Sequence, residues 1–295
     1  MLNCVVMVKQ VPDTANITGK VMNDDGTVNR AKLPAVFNAE DRVALELALR
    51  VRDRYGGRVS VVTMGPPRAS DVLRECLFMG ADAVYLVSDR KFAGADTLAT
   101  SYVLSRAIQK IGPYDLVLAG RQAIDGDTAQ VGPQTAEKLG ISQVTYAEEV
   151  RDVSDGSITV RRRIDGGYEV VRCRLPALLT VIKDAAEPRP YSAKRLMAKK
   201  NARSLTELEK MTEDNSLLYS DKLVDEYKSR NLFIPTFTTD DLDVDPERCG
   251  LKGSPTRVYR IESVVLAGRE RQNILPTREG LTHLVETLVR DHILG

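Results

Sequence analysis

The sequence predicts an α/β protein: a doubly wound, mainly parallel sheet with an added β-hairpin and an extended C-terminal arm ending in a helix. Three observations predict it. Short continuous apolar runs recur through the first 120 residues, helical patterns separate them, and after about residue 150 the chain changes to paired strands and then to a charged, proline-broken stretch.

The first apolar run is NCVVMV at 3–8, and the pattern returns at 58–63, 83–87 and 115–119. Between the first two, Val43, Ala44, Leu47, Ala48 and Val51 mark one face of a helix capped by Asn38, with Asp41 favourable in its first turn. Its other face carries Glu46, Arg50 and Asp53. Further helices are expected at 69–79 and 97–111, closed by Gly80 and Gly112. Strand-like runs at 158–163 and 168–174 flank Asp165-Gly166-Gly167, a turn sequence, and so predict a hairpin. Residues 183–203 then carry seven basic against two acidic side chains, and 205–250 carry twelve acidic against five basic. Such segments are solvated faces or partner-facing surfaces. Pro235, Pro246, Pro255 and Pro276 break the next stretch into extended pieces, and 277–293 reads as an amphipathic helix with Leu281, Leu284, Val285, Leu288 and Val289 on one stripe. The expected division is an α/β domain over 1–203 and an arm with its helix over 204–295.

Composition narrows the function classes. With 42 Lys and Arg against 41 Asp and Glu in 295 residues, the net charge of +1 provides no bulk field for nucleic acid. The four Cys (4, 76, 173, 249) have no metal-ligand spacing and read as small hydrophobes in a reducing compartment. The two His, 283 and 292, sit in the last thirteen residues, which makes a histidine-based triad or zinc site a poor expectation. No run is long enough to span a membrane. Demanding chemistry here is expected to belong to a bound cofactor.

Two loops could hold one. GRQAIDGDTAQV, 120–131, succeeds a strand and enters a helix, so Gly126, Asp127, Thr128 and Ala129 can offer backbone N–H groups to phosphate, with Gly120 allowing tight backbone. Asp125 reads as holding the loop. A capped turn without ligand is the competing reading. GADTLATS, 94–101, stands at a second strand-to-helix junction, where Asp96 and Thr97 can cap the helix and Thr100 and Ser101 come one turn later. Plain capping is the competing reading here too, and the favoured one for this loop in isolation. Neither a GxxxxGK[ST] nor a GxGxxG loop comes after the first strand.

The first strand leads instead into VKQVPDT, 8–14. With FNAEDRVALELAL (37–49), TMGP (63–66), MGAD (79–82), AGRQAIDGDTAQVGPQTAEKLG (119–140) and VRRRIDGGYEVVRCRLPALLT (160–180), this start resembles the beta subunit of electron-transfer flavoproteins over about two-thirds of the chain. The resemblance implies a sheet of the adenine-nucleotide-binding type. It implies that adenosine is bound by residues matching Met7, Asn38 to Asp41, Met64 and Gly120, Arg121, Gln122, Asp125, Gly126, Asp127, Thr128, Ala129, Gln130 and Val131. Ordinary members hold AMP there. Bifurcating members hold FAD, and they resemble this chain in VKQVPDT and GADTLATS, which implies Asp96, Thr97 and Thr100 at the flavin or diphosphate end.

The implied activity is that of an electron-transfer subunit in a flavin-dependent, NADH-oxidising complex. NADH would deliver hydride to this FAD, which sends one electron to an FAD held with the alpha subunit and one to a low-potential acceptor such as ferredoxin. No side chain need act as acid or base; Lys9 and Arg121 are candidates for tuning charge, or are plain surface charges. Residues 184–200 resemble the loop that docks partners, implying an acyl-CoA dehydrogenase or quinone oxidoreductase. The arm after 203 is longer than in shorter members and, by the same resemblance, packs on the alpha subunit; contact with an additional partner subunit is the competing reading. The implied location is cytoplasmic, with the inner membrane face reached only through a partner. Two alternatives stay open: a beta subunit with structural AMP, and a free nucleotide-binding regulatory domain, which leaves the hairpin unexplained.

Overall fold

Apolar residues that continue without alternation need cover on both faces, and the chain supplies it with helices on each side of one sheet. The computed structural model describes residues 1–13, 34–215, 221–256, 273–291 and 293–294. Thr14 of the VKQVPDT start, His292 and residues 257–272 of the expected arm lie outside the described residues.

The order begins β1 (Leu2–Met7), β2 (Gln10–Pro12), β3 (Ala35–Phe37), α1 (Ala39–Tyr55), β4 (Gly57–Met64), α2 (Ser70–Met79), β5 (Ala83–Val87), α3 (Thr97–Ile111), β6 (Leu116–Gly120) and α4 (Val131–Leu139). Then come β7 (Ser142–Ser154), β8 (Ser157–Ile164), β9 (Gly167–Arg174), β10 (Ala177–Val181), α5 (Ala193–Lys199), β11 (Arg203–Ser204), α6 (Leu205–Asn215), α7 (Asp221–Ser229), β12 (Phe233–Ile234), β13 (Thr236–Phe237), α8 (Thr239–Leu242) and α9 (Arg278–Arg290). Nine strands form the central sheet in the order β13-β5-β4-β1-β6-β10-β7-β8-β9, parallel as far as β7 and antiparallel beyond it.

Side chains alternate across the strands between two cores. Val6, Val61, Leu118 and Leu179 pack under α1 and α2, with Ala44, Leu45 and Leu73. Val5, Val62, Val117 and Leu178 face α3 and α4 through Val103, Leu104, Ala107 and Ala136. The chain winds outward from β1 through β4 to β5, then returns to place β6 on the other side of β1. The strand order therefore reverses between β1 and β6, and in such sheets ligands bind at the carboxyl ends beside the reversal.

The turn at Asp165 and Gly166 joins β8 to β9, with Ile164 opposite Gly167 and Gly166 at φ 77°. Residues 184–200 lie on α1 and α2. Arg189 reaches Glu46 (2.8 Å) and Asp53 (2.9 Å), Arg195 reaches the Met79 carbonyl (3.2 Å), and Tyr191 meets Phe78 edge-on at 5.8 Å. Much of that segment's basic charge is thus engaged internally, while Lys194, Met197 and Lys200 face outward.

The expected division lies at residue 203. Two compact units are found, Met1–Arg257 and Val258–Gly295. Residues after 203 bury Leu208, Leu232, Ile234, Leu242 and Cys249, and β13 adds to β5, so apolar burial keeps this acidic stretch with the sheet. In the second unit, α9 is capped by Thr277 and exposes Leu281, Val285 and Val289, each slightly more than half accessible. Among the described residues no helix is long and apolar enough to cross a membrane.

Leu118, fully buried in β6, and Leu281 on α9 give a direct contrast. Leu118→Ala should lower the unfolding free energy by about 2–5 kcal/mol in urea titrations. Leu281→Ala should change it by less than about 0.5 kcal/mol in the same measurement.

Candidate functional site

The carboxyl ends of β1 and β6 are joined by the first turn of α1. Asp41 is buried there at 6% exposure, accepting from the Lys9 amide on Oδ2 (2.8 Å) and from the Gly120 amide on Oδ1 (2.9 Å). A Cβ on Gly120 would stand 2.5 Å from that same Oδ1, so only glycine lets the end of β6 come this close. Glu40 accepts from the Gln122 amide (2.9 Å) and pairs with Arg121 (3.0 Å).

Asn38 occupies the N-cap position, but its side chain makes no cap bond. Its carboxamide instead donates to the Gln122 carbonyl (2.9 Å) and accepts from the Ile124 amide (3.3 Å). The start of α1 is therefore a scaffold beneath the 120–131 loop. Asn38 and Asp41, expected against adenosine, have their polar atoms taken up by the chain's own backbone.

The loop above is bent by the Ala123 carbonyl, which accepts from Gly126 (3.3 Å) and Asp127 (2.9 Å). Lys9 pairs with Asp125 at 2.8 Å, and Gln122 donates to Asp127 at 2.8 Å. Asp127 and Ala129 adopt left-handed backbone, φ 49° and 52°, and Gln130 returns to right-handed backbone. Such alternation turns successive N–H groups toward one concave side, which suits an anion. Among the described residues, the N–H groups of Thr128, Ala129 and Gln130 have no partner within the chain. They lead directly into α4, whose first turn accommodates Pro133.

At the neighbouring junction Asp96 caps α3, accepting from the Leu98 and Ala99 amides (3.0 Å each). Its second oxygen accepts from Thr256, amide at 3.1 Å and hydroxyl at 2.7 Å. Burial works against the charge, yet these bonds from Ala99, Thr256 and Leu98 hold the carboxyl below its ordinary range. The Thr97 hydroxyl donates to Gln130 Oε1 at 3.0 Å, and Ser101 reaches Gln134 at 3.3 Å. The two loops thus share one edge. Thr100 stands half-buried on the first turn of α3, its amide bonded to the Asp96 carbonyl.

Met7 is buried at the end of β1, and Met64 ends β4. Met64 and Lys9 line a cleft of about 110 Å³ with Val11, Pro12 and Gly65. A larger hollow, about 450 Å³, lies at the opposite ends of the strands against Met1, Asp115 and Pro176, away from both loops. Ser254 and Thr256 at the α3 junction are not expected from the sequence. They come from a segment more than 150 residues away in the chain.

Burial pushes Asp41 up to about 7, against the opposing pull of Gly120, Asn38 and Lys9. An unfolded Asp loses its proton near about 3.9, so the folded chain binds the extra proton between there and about 7. Stability should accordingly fall as pH rises through that window and level off above it. Asp41→Asn lacks this proton, so the stability gap between wild type and variant in urea titrations should narrow by a few kcal/mol from pH 4 to 7. A gap constant from pH 4 to 8 would refute the assignment.

Residues 25–210 match the electron transfer flavoprotein domain. Three similar proteins match almost end to end. Electron transfer flavoprotein subunit beta of Clostridium acetobutylicum is 40% identical over 293 residues, covering 99% of this chain and 100% of that one. The caffeyl-CoA reductase-Etf complex subunit CarD of Acetobacterium woodii is 41% identical over 295 residues, covering 99% and 100%. The acryloyl-CoA reductase electron transfer subunit gamma of Anaerotignum propionicum is 39% identical over 302 residues, covering 98% of each. A sheet whose strand order reverses at β1 and β6, a phosphate-compatible loop at that point and full-length relatives at this identity lead to one conclusion: the chain belongs to the electron transfer flavoprotein family, among its beta subunits.

Proposed function

We propose that this chain is the beta subunit of a bifurcating electron-transfer flavoprotein and holds FAD along the edge shared by α3 and the 120–131 loop. One observation carries the reading: the Thr97–Gln130 hydrogen bond, 3.0 Å, joins the two loops into a single donor-bearing surface. Two nucleotide-compatible loops on one edge would accommodate more than a mononucleotide. Support also comes from the VKQVPDT start and the GADTLATS loop, which resemble the bifurcating members.

The residues fit such a group in two places. The open N–H groups of Thr128, Ala129 and Gln130 suit a phosphate, and the Thr100 hydroxyl, with the Thr97 oxygen whose hydrogen goes to Gln130, extends the surface toward the flavin end. Bound FAD supplies acceptance of hydride from NADH and one-electron transfer to the alpha-subunit FAD and to a low-potential acceptor such as ferredoxin. The chain binds and orients it. Lys9 is paired with Asp125 and Arg121 with Glu40, so each cation beside the edge acts with a carboxylate attached and contributes a local dipole rather than a net charge. Asp96 acts from beneath, fixing the N-terminus of α3.

The segment with Lys194, Met197 and Lys200 outward is the docking surface for a dehydrogenase or quinone oxidoreductase. Relatives named for caffeyl-CoA and acryloyl-CoA reductase favour an acyl-CoA enzyme. The apolar stripe of α9 packs on the alpha subunit.

Flavin counted anaerobically per alpha–beta heterodimer tests the reading. Two FAD are expected; one FAD with AMP would replace it with the structural-AMP alternative. Thr97→Ala should weaken flavin retention by this subunit by about 3- to 10-fold, one hydrogen bond's worth, while alpha-subunit FAD stays in place. Unchanged stoichiometry and visible spectrum in the variant would count against Thr97.

A further inference from the structure

The last part of the first unit is fastened along the β5–α3 connection by two matching contacts. At one end, Asp89 accepts from the Lys91 amide (3.0 Å) with one oxygen and from the Thr239 amide (3.1 Å) and hydroxyl (2.7 Å) with the other. At the other end, Asp96 accepts from Leu98 and Ala99 with one oxygen and from the Thr256 amide and hydroxyl with the other. Between them, the Leu251 amide donates to the Ala93 carbonyl (3.0 Å), and Ser254 accepts from the Asp96 amide (2.8 Å) while donating to the Gly250 carbonyl (2.7 Å). Gly250, at φ 53°, passes so near the Lys91 carbonyl that a Cβ would lie 2.2 Å from it.

The two ends differ in how firmly they are held. Thr239 is 5% exposed and comes just after β13, whose Phe237 stacks on Tyr85 at 5.4 Å. Thr256 is exposed, and among the described residues it is held by its two hydrogen bonds to Asp96. Segments with few buried apolar contacts and exposed hydrogen bonds open first. The Asp96 end is therefore the one that can release. Release would strip two donors from Asp96 Oδ2, leaving its charge less compensated at the N-terminus of α3 and loosening the residue next to Thr97.

We infer that Asp96 is a positioning residue that links closure of the strap at 249–256 to binding at the adjoining edge, closed strap and bound ligand favouring each other. The inference rests on the reading of that edge as an FAD site. Linkage of this kind is reciprocal.

The test uses the full chain with its alpha subunit and the variant Thr256→Val, which removes the hydroxyl but keeps the amide and the β-branch. Amide hydrogen exchange should quicken over 249–256 and also at Leu98 and Ala99, FAD should be retained about 3- to 10-fold less tightly, and Thr256→Ser should restore both. In wild type, saturating FAD should slow exchange over 249–256. Faster exchange confined to 249–256, with Leu98, Ala99 and FAD affinity unchanged, would overturn the link, as would FAD binding that leaves the strap's exchange unaltered. If wild type binds no FAD, the functional reading fails, and the Leu98 and Ala99 amides alone decide whether strap and helix are joined.

Discussion

A single buried carboxylate governs how this site is assembled. Asp41 connects the end of the strand at which the sheet starts to the end of the strand at which its order reverses, through the Lys9 and Gly120 amides. Both bonds satisfy backbone donors that leave the ladder at a strand terminus, where no further strand residue can serve them. Because Glu40 and Asp41 on α1 and Asn38 at its N-cap stand in near-consecutive positions, the seating of one helix fixes the turn after β1 and the loop after β6 together. The loop is then free to direct its own amides outward.

This arrangement separates support from contact. Residues with the strongest polar chemistry, Asn38, Glu40, Asp41 and Asp96, are bonded within this chain, whereas among the described residues the groups left open are the amides of Thr128, Ala129 and Gln130. Open donors without a fixed charge suit a ligand that brings its own phosphate and its own reactivity. The same pattern holds at the rim, where Lys9 and Arg121 each carry an attached carboxylate.

The sequence exposes the parallel core because strands covered on both faces are uninterrupted apolar runs, as at Val5, Val6, Val61 and Val62. It conceals β7, whose SQVTYAEEVRDVS is half exposed, charged and broken in register near Glu149 and Asp152, so no period of two survives. It also conceals β10, ALLTV, which comes directly after the hairpin and reads as its continuation. Asn38 looks like an ordinary cap because the loop that claims its side chain is 84 residues away. The strap is hidden for a similar reason. Proline and aspartate give 235–256 the composition of a solvated arm, while its attachment depends on two-residue pairing and on Asp89 and Asp96, far back in the chain.

Among the described residues the antiparallel extension ends the sheet at β9, with Tyr168 and Val170 exposed and a row of backbone groups that no further strand covers. An open edge of this kind invites a foreign strand. Here the invitation is restricted by Glu169, Arg172 and Arg174, which place both signs of charge along eight residues. A neighbouring strand must match that order of charges to add in register, and a second copy of β9 laid parallel would set like charges opposite each other. The edge is therefore selective against parallel, in-register pairing with its own copy, and salt, which screens exposed charges, would weaken that selectivity before it affected the apolar core.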